Sequence, residues 1–120
     1  MSALRLLIVD DEATLLDLLR RFLERAGYEV ETYSDPVPAL ASFESDPQRF
    51  ALVITDLSLP GMDGEELIAR MRRIQPKLPA LISSGRPHEP ALPHTGFLQK
   101  PFLPKMLIQA VEKALSDRGN

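Results

Sequence analysis

The chain is 120 residues long, with a formal net charge of −3 and 44% hydrophobic residues. This size predicts a single domain, residues 1–120, that is large enough to bury a core. The absence of cysteine excludes a disulfide framework, a thiolate metal site and a cysteine nucleophile. The mildly acidic charge argues against binding to nucleic acid or an anionic membrane, and no apolar run is long enough to span a bilayer. We therefore expect a cytoplasmic protein.

The first part of the chain alternates between strand-like and helix-like patterns. Leu4–Val9 is a nearly unbroken apolar run, typical of a strand buried on both faces. Glu12–Ala26 has apolar residues at helical spacing, and Gly27 after it suits a helix end. Tyr28–Tyr33 alternates apolar and acidic residues, which predicts a strand near a sheet edge with one solvated face. The expected inward-facing residues are Leu15, Leu19, Phe22, Leu23 and Ala26 in this helix, and Val37, Leu40, Ala41 and Phe43 in a second helix that begins at Asp35-Pro36.

The second part continues the alternation. Ala51–Thr55 is a fully apolar run that ends in Asp56, and Ala80–Ser83 and Phe97–Gln99 are two further strand-like runs. Strands that alternate with helices predict βαβ units and a parallel sheet with helices on both faces. The expected helices are 65–74, with Leu67, Ile68, Met71 and Ile74 inward, and 104–115, with Leu107, Ile108, Val111, Ala114 and Leu115 inward.

The segment Arg86–Thr95 lies between two strands but does not suit a helix. It has prolines at every third position, 87, 90 and 93. Each proline inside a helix costs about 3 kcal/mol, so we predict an extended loop or at most one turn, with Leu92 as its apolar anchor. We expect His88 and His94 to be exposed loop residues rather than metal ligands or a phosphorelay histidine.

Polar residues follow the predicted strands, where parallel sheets bind their ligands. Asp10 and Asp11 follow the first strand, Asp56 the third, Ser84 the fourth and Lys100 the fifth. Three carboxylates at one edge would repel one another unless a divalent cation lay among them, and an oxygen-only donor set suits Mg²⁺. A carboxylate beside Mg²⁺, an ammonium group and a hydroxyl is equipped to accept a phosphoryl group.

The motifs around these residues resemble the receiver domain of two-component response regulators. They are Val9-Asp10-Asp11-Glu12, Asp56 with Leu59–Gly64 behind it, Ser83-Ser84-Gly85 and Lys100-Pro101-Phe102. The resemblance covers about residues 4–115. It implies a flavodoxin-like, doubly wound α/β fold whose five parallel strands have the order 2-1-3-4-5, here with the fourth helix shortened or replaced by the proline-rich loop. It also implies a cis Lys100-Pro101 bond.

The resemblance further implies a role for each site residue. Asp56 would be the phosphoacceptor. Asp11 and Asp56 would ligate Mg²⁺ together with the backbone carbonyl of Ser58, and Asp10 would act mainly through water. The other implied roles are Ser84 and Lys100 as groups that hold the phosphoryl oxygens, and Phe97 as the aromatic switch residue.

The implied partner is a sensor histidine kinase or a phosphotransfer protein. The protein would catalyse only its own phosphorylation and slow autodephosphorylation, and the signal would be a change in the proline-rich loop and in Phe97 when phosphoryl-Asp56 attracts Ser84. We expect no output domain within these residues, so the chain is either a standalone regulator or a receiver from a hybrid kinase or larger regulator. A docking module that is never phosphorylated remains an alternative. A phosphatase that forms an aspartyl-phosphate is disfavoured, because Ser58 stands where such enzymes need a second acid.

Overall fold

The structure is a computed structural model that describes residues 3–117; residues 1, 2 and 118–120 of the predicted domain lie outside the described residues. Strands and helices alternate along the chain, as the hydrophobic pattern predicts. A 3₁₀ turn at Pro47–Arg49 precedes the third strand. The elements are β1 (Arg5–Val9), α1 (Ala13–Arg25), β2 (Glu29–Tyr33), α2 (Pro36–Ser45), β3 (Phe50–Asp56), α3 (Gly64–Ile74), β4 (Ala80–Ser84), β5 (Thr95–Gln99) and α4 (Pro104–Asp117).

The five strands form one parallel sheet in the order β2-β1-β3-β4-β5, which confirms the predicted flavodoxin-like topology. The central strand, β3, is buried along all seven of its residues, because helices cover both faces of the sheet. Asp56 at its end is opposite Ser83 of β4, and Ser84 is opposite Gln99 of β5. The register therefore brings the carboxyl ends of β3, β4 and β5 to one edge.

Two hydrophobic clusters lie on opposite faces of the sheet. Leu7 and Val9 of β1 point into the cluster under α2 and α3, whereas Leu6 and Ile8 point into the cluster under α1 and α4. This division follows from the two-residue side-chain period of a strand. The sheet thus forms a rigid platform whose upper edge can hold a polar site.

Helix α2 buries one of its two apolar stripes: Phe43 and, in part, Leu40 face inward as predicted, whereas Val37 and Ala41 of the other stripe do not. Val37 is 65% exposed and Ala41 is also exposed, whereas Pro36, Ala39 and Phe43 are buried. Both stripes of this helix carry apolar residues at helical spacing, so periodicity alone does not choose between them. The face that contains Phe43 packs on the sheet, where its ring stacks with Phe50 at a centroid distance of 5.9 Å.

Two smaller expectations about helix faces were also wrong. Ile74 is 44% exposed because it is the last residue of α3, and Ala26 is exposed as the C-cap of α1. In α1, Leu15 packs partly buried against the core as predicted, and Leu16, which was not predicted to face inward, is buried beside it. Helix ends leave the sheet before the apolar pattern ends, so their last apolar residues meet solvent.

The edge strand β2 is less solvated than its alternating pattern predicts. The Glu31 side chain is only 19% exposed, because it accepts hydrogen bonds from Ser42 and from the Tyr33 hydroxyl and pairs with Arg5 and Arg49. Burial alone would raise the pKa of Glu31, but these hydrogen bonds and charges outweigh it and lower the pKa. Glu31 is therefore part of a polar cluster that connects β2 to α2.

No helix connects β4 to β5 within the described part of the chain, which confirms the prediction from the prolines. Residues 85–94, called here the β4–β5 loop, have Leu92 packed against the cluster under α2 and α3. The Lys100-Pro101 bond is cis, as expected. Among residues 3–117 there is also no helix with the length and hydrophobicity that a membrane crossing requires.

Candidate functional site

Three carboxylates meet where β1 and β3 end. Asp10 and Asp11 follow β1, Asp56 ends β3, and one carboxylate oxygen of each lies within 4.8 Å of the others. Asp10 and Asp56 are buried, whereas Asp11 is exposed to solvent. The structure therefore brings together the three acids that the sequence predicts at this edge.

The backbone around Asp56 leaves no room for a side chain on Gly64. A Cβ atom at Gly64 would lie 2.5 Å from the main-chain oxygen of Asp56, which is closer than atoms pack. The Gly64 N–H donates to the Leu57 carbonyl at 2.8 Å, and the Leu57 N–H donates to the Ser83 carbonyl at 2.8 Å. The start of α3 thus clamps the turn that follows Asp56, and its first residue must be glycine.

Lys100 extends its ammonium group into the acidic cluster. Its Nζ lies 3.0 Å from Asp10 Oδ2, 3.4 Å from Asp56 Oδ2 and 3.4 Å from Glu12 Oε1. The main-chain N–H of Lys100 donates to the Ser84 carbonyl at 2.8 Å, which fixes the residue at the end of β5. Glu12 was not predicted as a site residue, although it is the third acid of the Asp10-Asp11-Glu12 run.

The electrostatics of the site follow from burial and from these distances. Burial and the nearby Asp10 raise the pKa of Asp56, and Lys100 only partly opposes them. Burial would lower the pKa of Lys100, but its contacts with Asp10, Asp56 and Glu12 outweigh burial and raise it. The site thus holds more buried negative charge than its single ammonium group neutralises. A set of carboxylate oxygens of this kind fits Mg²⁺, which prefers oxygen ligands.

Ser84 and Ser58 border the same cleft as Asp56 and Lys100, a space of about 880 Å³. The Ser84 hydroxyl oxygen accepts a hydrogen bond from the Arg86 N–H at 3.1 Å, so its own proton remains free to be donated. The backbone of Ser58 hydrogen bonds to the Asp56 carboxylate and lowers its pKa slightly against the larger effect of burial. Asp56, Ser58, Ser84 and Lys100 therefore line one cleft, and Asp10 and Asp11 lie beside it in the acidic cluster.

Phe97 lies on β5 outside this cleft, and its side chain is half-buried. Its ring is 6.2 Å from the ring of His88, at an angle of 56°. The expectation that His88 is merely an exposed loop residue was wrong: it is partly buried, and its Nε2 lies 3.0 Å from Glu65 Oε1. Glu65 carries no signal in the sequence that would link it to a loop 23 residues away.

Comparisons with known proteins agree with this geometry. The family model of the response regulator receiver domain matches residues 6–112. The transcriptional regulatory protein FixJ of Bradyrhizobium diazoefficiens is 34% identical over 115 residues, which are 90% of this chain and 55% of FixJ. The chain thus spans about half the length of that relative.

Solved receiver structures superpose closely on the chain. The response regulator receiver protein from Sinorhizobium medicae WSM419 has a TM-score of 0.89 and 30% identity, with 97% of each chain covered. The receiver domain of the hybrid histidine kinase CckA has a TM-score of 0.83 and 32% identity, with 92% of this chain and 98% of that chain covered. The carboxylate and lysine site, the sheet order and these matches together show that the chain belongs to the response regulator receiver domain family of two-component systems.

Proposed function

We propose that this receiver accepts a phosphoryl group on Asp56, from a phosphohistidine of a sensor histidine kinase or phosphotransfer protein. The observation that carries the proposal is the position of the Lys100 ammonium group, which contacts both Asp10 and Asp56 at the mouth of the cleft. An aspartate at a strand end with a cation at 3.4 Å and a serine hydroxyl on the next strand has the groups that phosphoryl transfer uses.

The acidic residues are suited to hold Mg²⁺. Asp11 and Asp56 would ligate it directly with the main-chain carbonyl of Ser58, and Asp10 would act mainly through water. When bound, the ion supplies positive charge that offsets the charge on the phosphoryl oxygens.

The chain's own groups account for the remaining steps. An Asp56 carboxylate oxygen attacks the phosphorus atom, the new P–O bond forms as the P–N bond of the donor breaks, and the electron pair leaves with the imidazole. Lys100 then pairs with one phosphoryl oxygen and the Ser84 hydroxyl donates to another. Attack by water on the phosphorus later breaks the P–O bond and restores the carboxylate.

We further propose that the 120 residues form one receiver domain with its core at about residues 4–115, that it acts in the cytoplasm, and that nucleic acid and membranes are not its partners. FixJ is a transcriptional regulatory protein and CckA is a hybrid histidine kinase, so receivers of this kind occur in both settings. The partner that supplies phosphate would dock over the cleft, because Asp56 lines it and 11% of the Asp56 side chain is exposed.

Phosphorylation by a small donor tests the proposal without the kinase. We would incubate the protein with acetyl phosphate, with and without Mg²⁺, and read the intact mass. The expected result is one added phosphoryl group that requires Mg²⁺, disappears in D56N and persists in D46N, a control at an exposed aspartate. Absence of phosphate on the unaltered protein, with folding intact, would support the docking module instead; equal labelling of D56N would place the acceptor elsewhere.

A further inference from the structure

Two side chains of α3 reach across to the β4–β5 loop, which has no helix of its own. The loop has prolines at 87, 90 and 93, which supply no N–H groups, so its backbone cannot form a regular hydrogen-bond pattern. Arg72 and Glu65 supply the contacts instead. Arg72 contacts the end of the loop and Glu65 contacts its middle.

Arg72 anchors the end of the loop to α3. Its guanidinium donates to the carbonyls of Pro93 at 2.7 Å and His94 at 2.9 Å, and to Thr95 Oγ1 at 3.0 Å. Its Nε also donates to the Leu78 carbonyl at 3.0 Å. With this many bonds to β5 and to the approach to β4, Arg72 is a fixed structural support.

Glu65 holds the middle of the loop through a single oxygen. Its Oε1 accepts from the Ala91 N–H at 3.0 Å and lies 3.0 Å from His88 Nε2. The other oxygen, Oε2, is buried and has no hydrogen-bond partner among residues 3–117. The neighbouring Glu66 is different, because it is exposed and pairs with Arg70 at 2.6 Å on the same helix. The Glu65 side chain therefore contacts the loop through Oε1 alone, and its Oε2 forms no hydrogen bond among residues 3–117.

The beginning of the loop is attached to the phosphorylation site. The Arg86 N–H donates to the Ser84 hydroxyl oxygen at 3.1 Å. Only Pro87 separates Arg86 from His88, and the proline ring fixes the φ angle of that residue. This short connection therefore has little conformational freedom. A movement of the Ser84 side chain is thus passed to Arg86 and on to the residues that Glu65 holds.

We infer that Glu65 is a positioning residue that holds the unphosphorylated arrangement: it fixes the β4–β5 loop, and through Arg86 it restrains the Ser84 hydroxyl away from a phosphoryl group on Asp56. The inference rests on the proposed function. When a phosphoryl group on Asp56 engages Ser84, the loop is drawn away from Glu65 and the contacts of Ala91 and His88 weaken. His88 packs against Phe97, so the same movement changes the surroundings of that ring.

Occupation of the site and the Glu65 contact are thermodynamically linked. If occupation of the site weakens the Glu65 contact, removal of that contact must favour occupation by the same factor. A hydrogen bond of this kind contributes about 1 kcal/mol, so we expect a change of about fivefold in each direction. Loss of Glu65 should therefore tighten binding of a phosphate mimic, whereas a merely structural role would weaken it or leave it unchanged.

Exchange of the Ala91 amide with solvent, followed by NMR, reports on the contact directly. The variants are E65A, E65Q, whose amide oxygen can still accept the bond, and E66A as the matched control. In the free protein we expect Ala91 to exchange about fivefold faster in E65A, and at nearly the original rate in E65Q and E66A. Beryllofluoride with Mg²⁺ should speed exchange in the unaltered protein by a similar factor and should have little further effect in E65A.

Fluorine NMR of bound beryllofluoride separates the two proposals. If no variant binds the mimic, the proposed function fails. If the mimic binds at Asp56 but Ala91 exchange is unaffected by it, or E65A and E66A bind it equally, the positioning role of Glu65 is wrong. Should E65A not fold, A91P removes the donor instead of the acceptor, and the affinity for the mimic must then rise by about fivefold relative to the unaltered protein. No rise contradicts the inference.

Discussion

Replacing Asp56 by asparagine should stabilise the metal-free protein, although it abolishes the acceptor. The carboxylate oxygens of Asp10 and Asp11 lie within 4.8 Å of Asp56, and the Lys100 ammonium is 3.4 Å away. At an effective dielectric constant of about 20, each repulsion amounts to at least about 3.5 kcal/mol and the attraction to about 5 kcal/mol. The sum is repulsive by about 2 kcal/mol, and water around the exposed Asp11 reduces it to about 1 kcal/mol. Loss of this repulsion should raise the melting temperature by roughly 3–6 °C.

Magnesium should reverse the order of stability. A ligand that binds only the folded protein stabilises it by about 2.7 kcal/mol at a hundredfold excess over Kd, and D56N lacks one of the expected ligands. Thermal unfolding is measured for the unaltered protein, D56N and the control D46N, each with EDTA and with increasing Mg²⁺. We expect D56N to be the most stable in EDTA, and the unaltered protein and D46N to gain equally from Mg²⁺ and more than D56N. A less stable D56N in EDTA, or equal gains in all three proteins, would refute the electrostatic reasoning.

Two further predictions concern positions with a matched control nearby. E31Q should lower the free energy of unfolding by about 1–2 kcal/mol at neutral pH, and E29Q, which is more exposed, by much less. The folded protein holds the pKa of Glu31 below 4.5, so the stabilisation by ionised Glu31 is complete above pH 4.5. Urea unfolding should show that the difference in unfolding free energy between the unaltered protein and E31Q disappears as the pH falls through the folded pKa. A difference that stays constant with pH would contradict the role of the Glu31 charge. G64A should displace the Asp56 carbonyl and slow labelling by acetyl phosphate at least about tenfold. A displacement of the reacting group by about 1 Å can reduce a rate by more than this factor. G85A, where a Cβ meets nothing within 4 Å, should be labelled at the rate of the unaltered protein. Equal labelling rates for G64A and G85A would show that the contact at Gly64 does not position the Asp56 backbone.

The sheet order and the position of the site could be predicted because each depends on a local pattern. Apolar runs that end in Asp10, Asp56 or Lys100 mark the carboxyl ends of strands, and parallel topology brings those ends together. The missing helix was also predictable, since prolines at every third residue forbid it whatever surrounds them. These features do not depend on which distant side chains make contact.

The features that were missed depend on distant contacts. Glu65 and Arg72 lie on a helix whose polar face is ordinary in sequence, and their role comes from the loop that packs beside them. Helix α2 has two apolar stripes, and only packing on the sheet decides that Val37, which was expected to face inward with Phe43, is exposed. Tertiary packing overrides local pattern in each case, which also explains why Glu31 is enclosed in a strand that reads as half-solvated.

Direct identification of the phosphorylated residue tests the central claim most sharply. The protein is labelled by acetyl phosphate with Mg²⁺, the acyl phosphate is reduced with borohydride, and the digested peptides are sequenced by mass spectrometry. Asp56 should be the residue converted to homoserine, while Asp10 and Asp11 remain aspartates. Conversion at Asp10 or Asp11, or labelling that stays stable to hydroxylamine and so is not an acyl phosphate, would contradict the assignment of Asp56 as the acceptor.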